Sequence, residues 1–558
     1  MTRLRARWLG RVAYAEADAL QRALHDRTAD DYLLLLEHPH VYTLGTRADL
    51  EHVLVPPASV GAELVRTDRG GDVTYHGPGQ LVGYPIVTLP DWRDGQRDVV
   101  AYVRHVEAAL VAALAGLGVD AHTERGYTGV WVGDEKIAAI GVKVARGRSR
   151  HGFALNVDPD LAMFGHIVPC GIADRGVTSL ARVLGRAPEM RDVVDAVVDS
   201  FVAELGYDGV ERQDVVWREH PSDLSAFTRE ADAGGTAPAP PSAPVRLLGR
   251  LAEAGVATPA PDPTFRRPSW MKVKADLGAG YRETKRIMRS LSLHTVCEEA
   301  GCPNIYECWA DRTATFMILG ERCTRACGFC LVDTRRPLPI DPEEPARVAE
   351  AVAVMGLAHA VVTSVARDDV EDGGAAGFAA TIRAIRARTP ATRVEVLIPD
   401  CKGDAAALRT IFDARPDVLN HNLETVARLQ RAARPSAAYA RSLGVLARAK
   451  DAGLTTKSGI ILGMGETADE VLGAAADLRA VGVDILTLGQ YLRPSARHLP
   501  VVRWWTPEEF ESLRDGALAL GFAHVEAGPL VRSSYHARAA VDAAQGTQVS
   551  TGAATSVG

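Results

Sequence analysis

The chain has few cysteines and few aromatic residues for its length. Its 558 residues include eight cysteines, and aromatic side chains make up 6% of the composition. A small secreted protein that depends on disulfides uses cysteine far more densely, whereas a chain of this length can bury several hydrophobic cores without such bonds. We therefore expect the cysteines to bind metal or take part in chemistry, as they do in a reducing compartment.

The sequence also lacks the segments that direct secretion or membrane insertion. The opening residues, "MTRLRARWLGRVAYAEADALQ", contain no uninterrupted apolar core with a small-residue cleavage site. No run of about twenty apolar residues predicts a transmembrane helix. The formal net charge of -7 provides no basic excess for nucleic acid or a membrane surface. These absences predict a cytoplasmic protein that binds neither nucleic acid nor membranes.

Composition divides the chain into two globular regions. Residues 231–262 are rich in Ala, Pro and Gly, which predicts a linker, although "VRLLGRLAEAGV" inside it has an amphipathic pattern. Residues 538–558 have the composition of a flexible tail. The predicted domains are therefore 1–230 and 263–537, and all but one of the cysteines lie in the second.

Short apolar runs alternate with amphipathic stretches in the second region. Runs such as "HAVVTSV", "RVEVLIPD", "LTTKSGIILGMGE" and "VDILTLGQ" are separated by segments with helical periodicity. This alternation predicts parallel β/α units in series, an α/β full or partial barrel whose active site lies at the carboxyl ends of its strands. The first region mixes apolar runs with one clear amphipathic helix, "DVVAYVRHVEAALVAALAGLG", which predicts an α+β domain with a mixed sheet.

Six cysteines are concentrated in two triplets between residues 297 and 330. Their spacings are C-x4-C-x5-C and then C-x3-C-x2-C, and no histidine lies between them. A structural zinc site normally closes with four N or S ligands, which this pattern matches poorly. Three thiolates instead suit an iron–sulfur cube that keeps its fourth iron open to another ligand.

The C-x3-C-x2-C triplet at the head of a β/α barrel resembles the radical SAM superfamily. Together with "CEEAGCPNIYECW", "TSVARDDVEDGGA", "HNLET", "LGQYLRPS" and "VRSSYHA", it is similar to the lipoyl synthase family from about residue 265 to 537. The resemblance implies two [4Fe-4S] clusters and S-adenosylmethionine as cofactors. The radical SAM cluster would be held by Cys323, Cys327 and Cys330, and an auxiliary sulfur-donor cluster by Cys297, Cys302, Cys308 and Ser534, with Ser533 as the alternative serine.

The same resemblance implies which strand ends contact S-adenosylmethionine. These residues follow three of the predicted strands and carry charges or hydrogen-bonding groups: Ser364, Arg367, Asp368, Asn422, Glu424 and Lys457. Any one of them would more often be a solvated strand end, but their convergence on one face of a barrel favours a binding site.

The single cysteine of the first region lies in "FGHIVPCGIADRGVTSL". A lone cysteine is most often a small buried hydrophobe, but Pro before and Gly after it indicate a defined turn. A nucleophilic thiol requires a lowered pKa, which a neighbouring cation such as Lys136 or Lys143 would provide. The glycine-rich stretch "RGGDVTYHGPGQLVGYP" lacks the order of a P-loop.

The motifs "RGGDVTYHGPGQL", "GDEKIAAIGVKV", "HGFALNV" and "IVPCGI" resemble the octanoyltransferase family of lipoate biosynthesis over about residues 5 to 215. That resemblance implies the fold of biotin and lipoate protein ligases, Cys170 as the nucleophile that carries octanoate as a thioester, and Lys136 as the residue that lowers its pKa. The substrate-binding residues would be Arg69, Gly70, Gly71, Asp72, Val73, Thr74, Tyr75, His76, Ala139, Ile140, Gly141, Gly152, Phe153 and Ala154.

The two resemblances imply one bifunctional enzyme of lipoate biosynthesis, an acyltransferase joined to a sulfurtransferase. The first domain would move octanoyl from acyl carrier protein to a lysine of a lipoyl domain, and the second would insert sulfur at C6 and C8 of that chain. The implied partners are octanoyl-acyl carrier protein, the lipoyl domains of 2-oxoacid dehydrogenase E2 subunits, the glycine cleavage H protein, and a reductant of the ferredoxin or flavodoxin type. The alternatives are a lipoate ligase in the first half, and a non-catalytic iron–sulfur scaffold that binds lipoyl domains.

Overall fold

The computed structural model describes residues 2–89, 98–169, 175–217, 242–257, 267–272, 278–291, 293–295, 304–305, 315–535 and 543. Two compact units divide the chain, Met1–Trp217 and Arg218–Gly558. The first domain was predicted to extend to residue 230, but residues 218–241 lie outside the described part of the chain, as does all of the predicted tail except residue 543.

The first unit is built on a mixed nine-stranded sheet with a smaller sheet of three strands. The strands are β1 (Arg3–Arg11), β2 (Tyr32–Glu37), β3 (Val41–Leu44), β4 (Glu63–Arg66), β5 (Val73–His76), β6 (Gln80–Ile86), β7 (His122–Glu124), β8 (Tyr127–Val132), β9 (Glu135–Ala145), β10 (Arg148–Asn156), β11 (Gly176–Val177) and β12 (Gly209–Asp214). The large sheet has the order β12-β1-β2-β6-β10-β9-β8-β7, with β11 beside β9, and the small sheet has the order β4-β3-β5. Strands β12, β1 and β2 run parallel, whereas β2, β6, β10 and β9 pair antiparallel, so the predicted mixed sheet is confirmed.

The described residues of the first unit form the α-helices α1 (Tyr14–Arg27), α2 (Val99–Gly116), α3 (Leu180–Leu184) and α4 (Met190–Glu204). By length and composition alone, α2 is apolar enough to cross a membrane, with a mean hydropathy of 1.5. Its side chains Tyr102, Val106, Leu110 and Leu114 are instead buried in the core of this unit, where α2 packs against α4. The predicted amphipathic helix is therefore a core helix of an α+β fold.

The second unit contains an eight-stranded sheet whose strands follow one another in chain order. They are β13 (His294–Thr295), β14 (Thr315–Ile318), β15 (His359–Ser364), β16 (Arg393–Leu397), β17 (Val418–Asn420), β18 (Thr455–Leu462), β19 (Ile485–Gln490) and β20 (His524–Gly528). Strands β14 to β20 are all parallel, and β13 pairs antiparallel with β14. No described pairing joins β13 to β20, so the sheet forms the predicted partial barrel.

The helices of the second unit are α5 (Ser242–Glu253), α6 (Ala279–Ser290), α7 (Glu344–Met355), α8 (Ala375–Arg388), α9 (Ala405–Asp413), α10 (Gln430–Ala433), α11 (Tyr439–Asp451), α12 (Ala468–Ala480) and α13 (Pro507–Ala519). Local sequence explains where several of them begin. Thr467 and Glu470 form a capping box at the start of α12, and Thr506 and Glu509 form another at the start of α13. These boxes satisfy backbone N–H groups that have no partner within the helix.

Helix α5 lies inside the segment that was predicted to be a linker. Leu251 at its end is fully buried, and Glu253 forms an ion pair of 3.1 Å with Arg431. Val256, just beyond the helix, packs so closely on Gly465 that a Cβ there would lie 2.7 Å from it. Residues 242–257 therefore belong to the packed second unit, while 231–241 and 258–262 of the predicted linker lie outside the described residues.

Candidate active sites

The first unit carries an open cleft. Both sheets contribute to its walls, through β5 and the turn before it and through β6, β9 and β10. The residues that line it are Tyr14, Arg69, Gly70, Gly71, Asp72, Thr74, His76, Tyr84, Ala139, Ile140, Gly141, His151, Gly152, Phe153 and Ala154. Three separate predicted stretches thus meet at one cavity.

Val73 and Tyr75 are the two predicted substrate-binding residues that do not line the cleft. Successive side chains of a strand point to opposite faces. On β5, Thr74 and His76 therefore face the cleft, whereas Val73 and Tyr75 pack into a small core with neighbours that include Phe164. The side chains of Val73 and Tyr75 thus pack away from the cleft, and the assignment of these two residues to the substrate site stays a prediction.

Two paired glycines allow the walls of the cleft to approach one another. Gly141 on β9 and Gly152 on β10 are partners in the antiparallel register. A Cβ on Gly141 would lie 2.9 Å from the carbonyl oxygen of Gly70, and one on Gly152 would collide with the carbonyl oxygen of Gly83. A side chain at either position would therefore displace backbone at the cleft.

The polar groups of the cleft are fixed by neighbouring side chains. The Arg69 guanidinium donates to the carbonyl oxygen of Thr43 at 2.6 Å and to its hydroxyl at 2.8 Å. His76 Nδ1 is 2.8 Å from Gln80 Oε1. Burial lowers the pKa of His76 to about 3, so its imidazole is neutral at physiological pH. Arg69 and His76 thus shape the cleft and hold polar atoms in place.

Sequence reasoning missed Tyr14, Tyr84 and His151, which also line the cleft. The Tyr84 hydroxyl is 2.7 Å from His38 Nε2, and His151 Nε2 is 2.7 Å from a carboxylate oxygen of Asp68. Tyr84 and His151 lie within the quoted motifs "LVGYP" and "HGFALNV", so their positions could have been included. Tyr14 lies outside every motif, and no pattern identified it.

Cys170 lies outside the described residues, but the chain just before it is described. The Val168 N–H donates to the carbonyl oxygen of His52 at 2.8 Å. His52 Nδ1 is in turn 2.5 Å from a carboxylate oxygen of Asp72, which lines the cleft. The approach to Cys170 is therefore tied to the rim of the cleft.

Lys136 lies on β9, three residues before the cleft-lining part of that strand. Lys136 is 8% exposed, and its ammonium nitrogen lies 4.8 Å from the centre of the Trp131 ring. Val177, on the far side of Cys170 in the chain, pairs with Lys136 in a parallel register. Within the described residues no carboxylate is paired with Lys136, whereas Lys143 lies 2.8 Å from Asp68. Among the described residues, Lys136 is thus a lysine without a paired carboxylate, beside the short strand that contains Val177.

In the second unit, Cys323, Cys327 and Cys330 follow β14 on one half-buried loop. They form no disulfide. The loop is held by backbone hydrogen bonds, among them one of 2.8 Å from the Gly328 N–H to the carbonyl oxygen of Ala433. Burial raises the pKa of Cys327 to about 12 and that of Cys330 to about 11. Ionised thiolates at these positions therefore need a bound cation.

Arg325, between the first two cysteines of the loop, ties that loop to the strand ends. Its guanidinium donates to both carboxylate oxygens of Asp368, at 2.7 and 2.8 Å, and to Asp400 at 2.6 Å. Asp400 is fully buried. Asp368, a predicted S-adenosylmethionine contact, thus anchors the loop through Arg325, whose role sequence reasoning missed.

Two other predicted contacts carry buried polar atoms without a partner among the described residues. These atoms are Ser364 Oγ, at the end of β15, and Asn422 Oδ1, just beyond β17. The Asn422 amide nitrogen lies 3.1 Å from Glu424, and burial raises the pKa of that carboxyl group. Unpaired buried polar atoms at the mouth of a barrel are expected where a polar ligand binds.

The two predicted cationic contacts, Lys457 and Arg367, form ion pairs with carboxylates of the second unit. Lys457 lies within β18 and forms an ion pair of 2.9 Å with Glu395, with both side chains fully buried inside the barrel. Arg367 pairs with Asp369 at 2.9 Å and donates to the carbonyl oxygen of Leu319 at 2.9 Å. Lys457 therefore lies within its strand and not after it as the sequence predicted, whereas Arg367 follows the end of β15 as predicted, with its guanidinium paired to Asp369.

The serine pair differs in its contacts. Ser533 Oγ accepts a hydrogen bond of 3.1 Å from the Asn422 amide. Ser534 makes no hydrogen bond to any residue that the structure describes. Cys297, Cys302 and Cys308, its predicted co-ligands, lie outside the described residues.

The donor set, three thiols on one loop, suits an iron–sulfur cluster and not a single metal ion, because no three His, Cys, Asp or Glu side chains in the described part of the chain are grouped to hold one ion. Three reduced cysteines share one anchored loop, and the unpaired atoms of Ser364 and Asn422 lie at ends of the same parallel sheet. Three thiolates leave one iron of a cube free for the ligand.

Models of three protein families match the chain. The "Lipoyl protein ligase A/B catalytic domain" matches residues 13–202, the "N-terminal domain of lipoyl synthase of Radical_SAM family" matches 258–302, and the "Radical SAM superfamily" matches 317–478. The first match contains the cleft, and the last contains the three-cysteine loop.

Individual proteins similar to this chain include lipoyl synthases of two bacteria. That of Rubrobacter xylanophilus is 62% identical over 273 residues, which cover 49% of this chain and 85% of the relative. That of Kineococcus radiotolerans is 57% identical over 278 residues, which cover 50% of this chain and 84% of the relative. A crystal structure of lipoate-protein ligase A bound with ATP is 20% identical and covers 39% of this chain and 90% of its own, with a TM-score of 0.32.

Proposed function

The chain belongs to the lipoyl synthase family through its second unit and joins to it a lipoyl protein ligase A/B catalytic domain, and from this premise we propose that it catalyses two consecutive steps of lipoate biosynthesis. The first step is octanoyl transfer from acyl carrier protein to a lysine of a lipoyl domain. The second is insertion of two sulfur atoms into the attached chain.

In the transfer step the Cys170 thiolate attacks the thioester carbonyl of octanoyl-acyl carrier protein. The carrier leaves as a thiolate, and octanoate remains as a thioester on Cys170. The neutral lysine amine of a lipoyl domain then attacks that carbonyl, forms the amide and releases the Cys170 thiolate, and the proton that the nitrogen loses balances the one that the carrier thiolate takes up. The Lys136 ammonium lowers the pKa of the Cys170 thiol, because a nearby positive charge favours the ionised sulfur.

One observation favours octanoyl transfer over the reaction of an ATP-dependent lipoate ligase. The segments on both sides of Cys170 are tied to the cleft rim and to Lys136, whose charge no described carboxylate neutralises. An enzyme that activates its acid with ATP has no need of a cysteine between such anchors. A covalent acyl enzyme does need one.

For the second step, Cys323, Cys327 and Cys330 would hold a [4Fe-4S] cluster, and Ser364, Asn422 and Glu424 would bind S-adenosylmethionine beside it. When bound and reduced, such a cluster supplies the electron that cleaves S-adenosylmethionine to a 5'-deoxyadenosyl radical. Arg325 holds the cysteine loop in position through Asp368 and Asp400.

We assign the source of sulfur to a second cluster held by Cys297, Cys302, Cys308 and Ser534. The free hydroxyl of Ser534 favours it over Ser533, which is bonded to Asn422. Lipoyl domains of 2-oxoacid dehydrogenase E2 subunits and the glycine cleavage H protein would be the substrates, with a ferredoxin or flavodoxin as reductant.

The transfer step is tested by trapping the acyl enzyme. We expect the chain incubated with octanoyl-acyl carrier protein to gain one octanoyl group, detected by mass spectrometry and released by hydroxylamine. Cys170→Ala should gain none, while its iron content and its release of deoxyadenosine stay those of the parent. An octanoyl thioester on Cys170→Ala would show that another residue is the nucleophile, and no deoxyadenosine release from the reconstituted parent would favour a non-catalytic scaffold.

A further inference from the structure

Helix α6 presents a row of arginines to solvent. Arg282, Arg286 and Arg289 are all exposed, and their spacing of four and three residues places them on one face of the helix. The opposite face is buried, with Thr284 at 2% and Met288 at 1% exposure. The exposed face of α6 therefore carries three arginines and one exposed acid, Glu283, which makes it basic on a chain whose formal net charge is -7.

These three arginines have no ion pair or hydrogen bond with any residue that the structure describes. Most other arginines of the second unit are engaged, for example Arg325 with Asp368 and Arg428 with Glu470. Guanidinium groups bind carboxylates in pairs of parallel hydrogen bonds. A row of uncommitted guanidinium groups is thus suited to an anionic partner.

The packing of α6 and the net charge of the chain indicate which kind of anionic partner the arginines bind. Its apolar side chains belong to the core of the second unit, so none remains to insert into a lipid surface. A chain with more acidic than basic residues lacks the broad positive field that nucleic acid binding requires. A limited acidic surface on a protein is the partner that matches three arginines.

The position of α6 connects it to the proposed second reaction. The helix packs against α7 and leads directly into β13, and Cys297 follows β13 two residues later in the chain. We infer that the arginine face of α6, defined by Arg282, Arg286 and Arg289, docks an acidic surface of the octanoylated lipoyl domain. This inference rests on the proposed function, because it concerns how the substrate of the second step is recognised.

The test compares matched double variants of the reconstituted full chain. Arg282→Gln/Arg286→Gln removes two charges from the arginine face, and Arg383→Gln/Arg409→Gln removes two exposed charges from α8 and α9. The substrates are an octanoylated lipoyl domain of net negative charge and a short octanoyl-lysine peptide without acidic residues. Sulfur insertion is measured at several salt concentrations.

We expect the α6 variant to raise KM for the lipoyl domain about 3- to 10-fold, with a weaker dependence on salt, and to leave the peptide unaffected. Arg282→Glu/Arg286→Glu should raise that KM further, because it repels the acidic surface, whereas the α8/α9 control should match the parent. If the α6 variants and the control have equal KM values for the lipoyl domain and convert the peptide normally, the docking inference is overturned while the proposed function stands. Failure of the parent to convert either substrate would overturn the proposed function and this inference with it.

Discussion

Lys136 and Lys143 show how the same residue type acquires different roles from its contacts. Both lie on β9, and Lys143 is neutralised by Asp68 at 2.8 Å, whereas Lys136 is packed on Trp131. A cation without a partner stabilises a nearby thiolate, and a paired one does so far less. The two lysines therefore provide a variant and a matched control for the activation of Cys170.

We expect Lys136→Gln to raise the pKa of the Cys170 thiol by about one unit or more, because the thiolate loses a favourable positive charge. The rate of Cys170 alkylation, measured against pH, should shift to higher pH by that amount. Lys143→Gln should leave the curve in place. A curve for Lys136→Gln that coincides with that of the parent would remove Lys136 from the activation of the nucleophile.

Arg325 is the residue on which we expect the three-cysteine loop to depend. Arg325→Gln would leave the fully buried Asp400 without its closest cation, and breaking a buried ion pair in this way costs about 3–5 kcal/mol. The variant should retain less iron after reconstitution and unfold at a lower temperature. Arg325→Lys should recover only part of the loss, because an ammonium group lacks the two-pronged geometry that binds Asp368.

The control for this variant is Arg322→Gln, on the same loop. The Arg322 guanidinium lies 3.5 Å from Asp333 and remains partly exposed, so little stability depends on it. If Arg325→Gln and Arg322→Gln bind iron equally well, the loop is not anchored through Arg325.

Residue chemistry could be read from the sequence more reliably than side-chain direction. The motifs around Arg69, Gly141 and Gly152 identified the cleft because glycine-rich turns and close strands use recognisable residue types. The sequence could not show that the Val73 side chain packs away from the cleft, because the face that each residue of β5 presents is not revealed by any local pattern. It could not show that Lys457 lies within β18 either, since the depth of a residue in the barrel depends on the stagger between strands.

At the scale of elements, periodicity predicted the strands of the barrel closely. The run "HAVVTSV" became β15 and "VDILTLGQ" became β19, because buried parallel strands are continuous apolar runs between helices. Helix α5 was not predicted, because the Ala- and Pro-rich composition around its short amphipathic pattern indicated a linker. Its stability comes from packing on the second unit, through contacts far away in sequence such as that between Glu253 and Arg431.

Helix α5 supplies a test of that packing with a control on the same helix. Leu251 is fully buried and Leu248 is 39% exposed. Leu251→Asp should detach residues 242–257 from the second unit, because it places a carboxylate in an apolar contact at a cost of several kcal/mol. Hydrogen exchange should then show loss of protection over those residues, whereas Leu248→Asp should keep it. Equal protection in the two variants would mean that α5 is not held by Leu251.

At the scale of the whole molecule, the chain joins two units whose proposed reactions act on one acyl chain. The first unit has the cleft and Lys136, and the second has the cysteine loop and the unpaired atoms of Ser364 and Asn422. The product of the first proposed step is the substrate of the second. The two compact units separate at Trp217, whereas composition predicted that the first domain ends at residue 230.

The proposed two-step reaction is tested by following one lipoyl domain through octanoyl transfer and sulfur insertion. The reconstituted chain is incubated without oxygen with octanoyl-acyl carrier protein, unmodified lipoyl domain, S-adenosylmethionine and a reductant, and the intact mass of the lipoyl domain is measured over time. We predict octanoylated and then lipoylated domain from the parent. We also predict only octanoylated domain from a variant with Cys323, Cys327 and Cys330 changed to alanine, and neither product from Cys170→Ala, which should still convert domain that is already octanoylated. The two-step proposal would be contradicted if Cys170→Ala formed lipoylated domain in the full reaction, or if the cysteine-loop variant formed no octanoylated domain.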